Sequence, residues 1–172
     1  MSASAARKIF RNNRTECMST QHDLVTSRPG RTPGRFRLLF VCTANACRSP
    51  MAEGFARHYG MGRLDAFSAG IIQAPLDPRA VRVMAELNID IAHHTHTKIE
   101  TVSIHDMDLV VTLSEYAQSF SPQGFSTQHR LHWDIPDPMQ LWGPDWFVLR
   151  TYRHVRDDLG GRIRTLLATI LR

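Results

Sequence analysis

Cysteine is scarce in this chain of 172 residues: Cys17, Cys42 and Cys47 are the whole complement. Three thiols exclude a disulfide scaffold. A free cysteine that works as a thiolate suits a reducing compartment, so the expected location is cytoplasmic. Long apolar runs are missing too. None reaches the ~18 residues needed to span a bilayer, and the first residues lack the apolar core of a secretory signal. A one-signed charge excess is also missing from most of the chain. Residues 1–34 hold six Lys/Arg against Glu16 and Asp23, whereas residues 35–172 hold fifteen against fourteen Asp/Glu. The net charge of +5 therefore belongs mostly to the tail, and charge is no argument for nucleic-acid binding by the folded part. His93, His94 and His96 crowd together, but no acidic or thiol ligand stands at a suitable spacing. Surface histidines are expected there, with no metal and no cofactor.

The length suits one domain with a real core. Residues 1–34, rich in Ser and Arg and closed by Pro29, Gly30, Pro33 and Gly34, are expected to be a disordered basic extension, with the domain at 35–172. A transit peptide, or contact with a membrane surface or nucleic acid through the arginines, is the less favoured use. Met18 inside this stretch fits an upstream start codon.

What is present is organised around Phe36–Arg57, FRLLFVCTANACRSPMAEGFAR. Its first half is an apolar strand and its second half a helix. Between them lie Cys42, the loop Thr43, Ala44, Asn45, Ala46 and Cys47, then Arg48 and Ser49. Pro50 fits the first helical position and Ser49 the N-cap before it. A helix start attracts anions, and a curled loop can turn several amides toward one. Arg48 adds a planar, always-charged clamp. The same field is expected to lower the Cys42 pKa and favour its thiolate. One short loop could thus bind a tetrahedral oxyanion and attack it.

Further on, strand and helix alternate. Met51, Phe55 and Tyr59 share one helix face, which Gly60 and Gly62 end. Asp65–Gly70 reads as a strand. Asp77-Pro78 opens a helix to about Leu87, with Val81, Met84, Ala85 and Leu87 as its apolar side. Asp108–Leu113 reads as a buried parallel strand, Ser114–Phe120 as a short helix, and Leu131–Trp133 as a last strand. A long helix over about Asp145–Leu171 turns Phe147, Tyr152, Val155, Leu159, Ile163, Leu166, Leu167 and Ile170 inward, and Gly160-Gly161 should weaken or bend it. The alternation predicts an α/β fold, a single three-layer domain with a four-stranded parallel sheet flanked by helices. Ligands of such sheets bind at the carboxyl ends of strands, where Cys42 sits.

The run Val41-Cys42-Thr43-Ala44-Asn45-Ala46-Cys47-Arg48-Ser49-Pro50 resembles the low-molecular-weight protein tyrosine phosphatase superfamily, which includes arsenate reductases of the same fold. Ala44 stands where the family often has Gly. The likeness extends from about Phe36 to the C-terminus. It implies a phosphate-binding loop of Thr43, Ala44, Asn45, Ala46, Cys47 and Arg48, supported by Asn45, Ser49, Ser68 of a Ser-Ala-Gly turn, and His94. It also implies a redox role for Cys47, which would trap oxidised Cys42 as a reversible disulfide; the alternative is packing within the loop.

Cleaving a phosphomonoester needs a proton for the departing oxygen, which a carboxylic acid on a loop can supply. Trp133-Asp134-Ile135-Pro136-Asp137-Pro138 offers two. The resemblance favours Asp137, in an Asp-Pro pair, over Asp134; both also suit plain turns. Tyrosine-specific members carry aromatics directly after the Asp-Pro, whereas this chain has Met139, Gln140, Leu141 and Trp142. Trp142 suits a pocket wall, a core position or a hinge.

Ala74–Val81, His132-Trp133 and Arg156-Asp157-Asp158 lean toward the reductase branch. Reductases coupled to thioredoxin relay a disulfide through two further cysteines, and those positions here are Ser114 and Ser121, with Cys17 a poor substitute. Three functions follow. The first is a cysteine-dependent phosphatase acting on phosphotyrosine of a protein or on small aryl phosphomonoesters, with Cys42, Arg48 and Asp137 catalytic and a phosphocysteine intermediate. The second is an arsenate reductase drawing on an external small thiol or glutaredoxin-like donor. The third is a non-catalytic oxyanion-binding protein. Neither nucleic acid nor a membrane is an expected partner.

Overall fold

In the computed structural model, residues 35–120 and 130–172 are described. The extension at 1–34, with Cys17, lies outside them, as does Ser121. Four strands, β1 (Phe36–Cys42), β2 (Leu64–Gly70), β3 (Leu109–Thr112) and β4 (Arg130–His132), form one sheet in the order β2-β1-β3-β4. Every pairing is parallel, with Cys42 opposite Gly70 and Val41 opposite Thr112. Strand β1 is central and must bury both faces, so its apolar residues are continuous rather than alternating.

Helices α1 (Arg48–Gly60), α2 (Pro78–Ala85) and α4 (Asp145–Ile170) and the short α3 (Glu115–Ser119) connect or follow the strands. Leu38 and Phe40 of β1 join a core with Met51, Phe55, Val83, Met84, Tyr152, Leu159 and Ile163 from α1, α2 and α4. Leu39 and Val41 pack on the other face with Ile99, Met107, Val110 and Ala117. The expected three layers and parallel sheet are thus observed.

Several local readings change. Helix α1 starts at Arg48, with Cys47 as its N-cap and the first return bond from Met51 N–H to the Cys47 carbonyl at 3.0 Å. Ser49 lies one turn position inside it. A first-turn amide has no helical partner, so Pro50 is tolerated there without marking the first residue. The helix ends at Gly60 as expected, and Met61 and Gly62 follow it at positive φ, 48° and 78°. Asp77 caps α2 as expected, accepting the Arg79 N–H. That helix ends at Ala85, its buried residues are Ala80, Val83 and Met84, and Leu87 is exposed. Phe147 is exposed rather than inward, and Trp142 is 94% exposed, which rules out a core position.

Helix α4 runs unbroken through Gly160-Gly161. A Cβ at Gly160 would stand 3.1 Å from the Phe55 ring. That glycine lets α1 and α4 approach closely, and packing offsets its poor helix propensity.

Candidate active site

The loop 43–47 lies at the carboxyl edge of the sheet, between the end of β1 and the start of α1. It is held by backbone first. The Thr43 carbonyl accepts from the Ile71 and Ile72 amides, each at 2.9 Å, and the Ala46 carbonyl accepts from Asp77 N–H at 2.8 Å. Gly70 meets the loop backbone so closely that a Cβ there would lie 2.7 Å from Ala44 C and Asn45 N. Ser68-Ala69-Gly70, expected as a turn, is the end of β2, and it needs its glycine for close approach. Asn45 takes the left-handed conformation, φ 50°, which Asn tolerates better than most residues; Ala44 has no positive φ.

The four residues expected to support the loop come together in one buried network. Asn45 Nδ2 donates to Ser49 Oγ at 2.9 Å and Ser68 Oγ at 2.8 Å. Asn45 Oδ1 accepts the Thr97 amide at 2.9 Å and lies 3.1 Å from His94 Nε2. The Asn45 side chain is fully enclosed, so each of its polar atoms needs a partner, and each has one. Ser49 Oγ stands 3.0 Å from Cys42 Sγ. Ser49 therefore touches the sulfur instead of capping the helix.

Arg48 and Asp137, 89 positions apart, meet at 2.7 Å between Nη2 and Oδ2. Arg48 Nη1 donates to the Ile135 carbonyl at 3.0 Å and the Leu113 carbonyl at 3.4 Å. Asp137 Oδ1 also accepts Met139 N–H at 3.1 Å, because Asp137 caps the turn Pro138–Gln140. Asp134 is exposed and makes none of these contacts among the described residues. Cys47 is buried. Its thiol pKa is raised well above the ordinary value, by burial first and then by the nearby Cys42 sulfur.

Sequence reasoning missed Glu53. It is 7% exposed, accepts from Ser68 Oγ at 2.6 Å, pairs with Arg57 and lies 3.6 Å from His94 Nδ1. Burial raises its pKa against the opposing effects of Ser68 and Arg57. The His94 pKa is lowered by burial, then by Arg57 and His96, which favours the neutral ring. Glu53 lies one helical turn beyond Ser49 on α1, and a carboxylate in helical register with a loop-supporting residue was the available signal.

Also missed was a cluster behind Ala46. Asp77 accepts the Tyr152 hydroxyl at 2.6 Å and a two-pronged contact from Arg79 at 3.0 and 2.8 Å. Burial raises the Asp77 pKa, yet the bonds from Arg79 and Tyr152 outweigh it and the net shift is downward. Burial and the Asp77 contact push the Tyr152 pKa well above its ordinary value. A cavity of about 720 Å³ lies elsewhere, between β4 and α4, lined by Leu131, Trp133 and Leu166 among others. Among the described residues no cluster suited to a metal ion is found, and no helix is long and apolar enough to cross a membrane.

The sequence profile of the low molecular weight phosphotyrosine protein phosphatase family matches residues 37–172. An arsenate reductase of Halalkalibacterium halodurans is 39% identical over 132 residues, which is 77% of this chain and 95% of that protein. The solved structure of an arsenate reductase in the phosphate binding state superposes with a TM-score of 0.66 at 33% identity, over 78% of this chain and 98% of that one. A low molecular weight protein tyrosine phosphatase from T. tengcongensis superposes with a TM-score of 0.67 at 27% identity, over 78% and 99%.

Proposed function

This chain belongs to the low molecular weight phosphotyrosine protein phosphatase family, and from that premise we propose that it reduces arsenate, with Cys42 as nucleophile and an external thiol as electron donor. The observation that supports this reading best is the juxtaposition of the Cys42 sulfur, the Ser49 hydroxyl at 3.0 Å and the Arg48–Asp137 pair around one loop. The relatives named arsenate reductase, at 36–39% identity, tilt the choice of substrate.

In this reading the Cys42 thiolate attacks arsenic. The arsenate hydroxyl departs as water after taking a proton from Asp137, and Arg48 holds the remaining charge. The donor thiolate then attacks Cys42 Sγ. The S–As bond breaks with its electron pair passing to arsenic, which leaves as arsenite. A mixed disulfide remains on Cys42, and a second donor thiol reduces it. The donor is taken as external because the free cysteine beside Cys42 among the described residues is Cys47, whose burial raises its pKa and keeps it a poor attacking thiol. The first expected relay position is Ser114, whose hydroxyl caps α3 and accepts from Thr43 Oγ1 at 3.2 Å; Ser121 holds the second. A chain that keeps such a thiolate calls for a reducing compartment.

Phosphatase action is the second reading, supported by the position of Asp137 beside Arg48. Here the Cys42 thiolate attacks phosphorus and the aryl alcohol leaves with the proton of Asp137; water, with Asp137 as base, then attacks phosphorus and releases phosphate and the Cys42 thiolate. One paired assay separates the two. Arsenite formation is measured with a monothiol, a glutaredoxin and thioredoxin as donors, and phosphate release is measured from an aryl phosphomonoester. Arsenite formed with a monothiol or glutaredoxin, and lost at least about a thousandfold in Cys42→Ser, is the expected result. Phosphate release without arsenite formation would move the assignment to the phosphatase.

A further inference from the structure

The polar contacts of the Arg48 guanidinium described above all go to the chain itself. Nη1 serves two backbone carbonyls, and Nη2 serves Asp137 Oδ2 at 2.7 Å and Thr43 Oγ1 at 3.5 Å. Both oxygens of Asp137 are likewise committed, one to Arg48 and one to the Met139 amide. The pair is largely shielded, with the two side chains 7% and 20% exposed. This arrangement conflicts with catalysis at both ends. An oxyanion needs the guanidinium edge that Asp137 holds. A general acid must present a proton, whereas here the carboxylate only accepts.

We propose that Asp137 is a built-in competitor for Arg48: it occupies the oxyanion's place on the guanidinium, and an arriving oxyanion displaces it and so frees the carboxyl for proton transfer. The proposal rests on the oxyanion chemistry of the preceding section. It couples the two catalytic groups, because the anion that needs protonation releases the carboxylate, which takes up a proton from solvent and then passes it to the departing oxygen. It also favours turnover. Arsenous acid is uncharged near neutral pH, so it competes poorly with a carboxylate for a guanidinium, and the pair re-forms as the product leaves.

A competitor imposes the same cost on every anion that must displace it. The apparent dissociation constant is the intrinsic one divided by the open fraction, whatever the ligand. Plain repulsion by a nearby negative charge scales instead with the ligand's charge. Sulfate and perchlorate separate the two mechanisms, since both are tetrahedral and their charges, −2 and −1, are fixed across neutral pH. Their binding to the full chain is measured by calorimetry, without turnover, for wild type, Asp137→Asn and Asp137→Ser. The serine variant keeps a cap for the Met139 amide and guards against misfolding in the first, which circular dichroism checks.

The expected result is tightening of both anions by the same factor, about tenfold, the scale of one charge-assisted hydrogen bond. Constants within twofold of wild type in both variants would overturn the competitor and leave the oxyanion site standing. A sulfate factor near the square of the perchlorate factor would overturn it in favour of repulsion. Failure of every form to bind either anion would remove the oxyanion site itself, and this proposal with it.

Discussion

Two polar networks of similar make-up sit in this molecule and behave in opposite ways. Under the loop, Glu53 is 7% exposed and joins Ser68, Arg57 and His94. Between α2 and α4, Glu86 receives Arg153 through three contacts of 2.7–3.1 Å and Arg156 at 2.8 Å. Each pairs a glutamate with at least one arginine. Yet the Glu53 pKa is raised, chiefly by burial, whereas the Glu86 pKa is lowered to about 2, chiefly by the bonds from Arg153. The difference is solvent. Glu86 keeps a third of its side chain exposed and gains two cations at little desolvation cost. Glu53 loses its water and recovers only part of the loss from a hydroxyl and an arginine. The exposed network ties helices together. The buried one carries a local cost and holds the loop rigid, as a site that must keep its geometry requires.

The strongest way to break this comparison is to remove the hub of the buried network. Asn45→Ala deletes the bonds to Ser49, Ser68, His94 and Thr97 and places alanine at a positive φ. Turnover per encounter (kcat/KM) should fall about a hundredfold, the scale of a reacting group misplaced by an ångström. Parallel thermal melts check that the chain still folds. An activity within a few-fold of wild type would mean that the loop's backbone contacts suffice.

Glu53→Gln sharpens the contrast through pH. A raised pKa means that the folded state binds the Glu53 proton more readily than the unfolded chain does. The associated stability is complete below the ordinary value of 4.5 and falls as pH rises through the folded value. The glutamine variant should lack that fall. Its melting temperature, followed upward from pH 4.5, should gain on wild type, and parallel curves would contradict the burial argument.

The smallest effect belongs to Glu86→Gln. Here the depressed pKa gives stability that is complete above 4.5 and lost as pH falls through about 2. Screened by solvent, the loss at neutral pH should not exceed about 1 kcal/mol. It should vanish in strong acid, so the pH slope has the opposite sign to that of Glu53. A chemical-denaturation series at several pH values checks it.

Much of the site was legible because its parts are close in sequence. Cys42, Asn45, Arg48 and Ser49 share one loop and helix turn, and Asp77-Pro78 marks a helix start by local chemistry alone. Ser68, His94 and Asp137 came from a resemblance, and the fold brings the first two to Asn45 and the third to Arg48. Glu53 and Tyr152 were not legible in this way. Tyr152 sits on a helix face that reads as core and Glu53 on the side of α1 away from Met51 and Phe55, and nothing local says that a carboxylate waits opposite the one and a hydroxyl opposite the other. Phe147 and Leu87 were misjudged for the converse reason: helical spacing predicts a face but not where the partner surface ends.

The amino-acid sequence by itself determined the order of strands and helices, the parallel sheet and the thiol at the end of its central strand, because these follow from apolar runs, caps and prolines acting over a few residues. Only the tertiary structure decided where Arg48 points, which carboxylate meets it, and that Ser49 faces sulfur rather than capping a helix. Those outcomes depend on groups tens of residues apart competing for the same buried donors, and that competition is settled only when the layers close and water leaves.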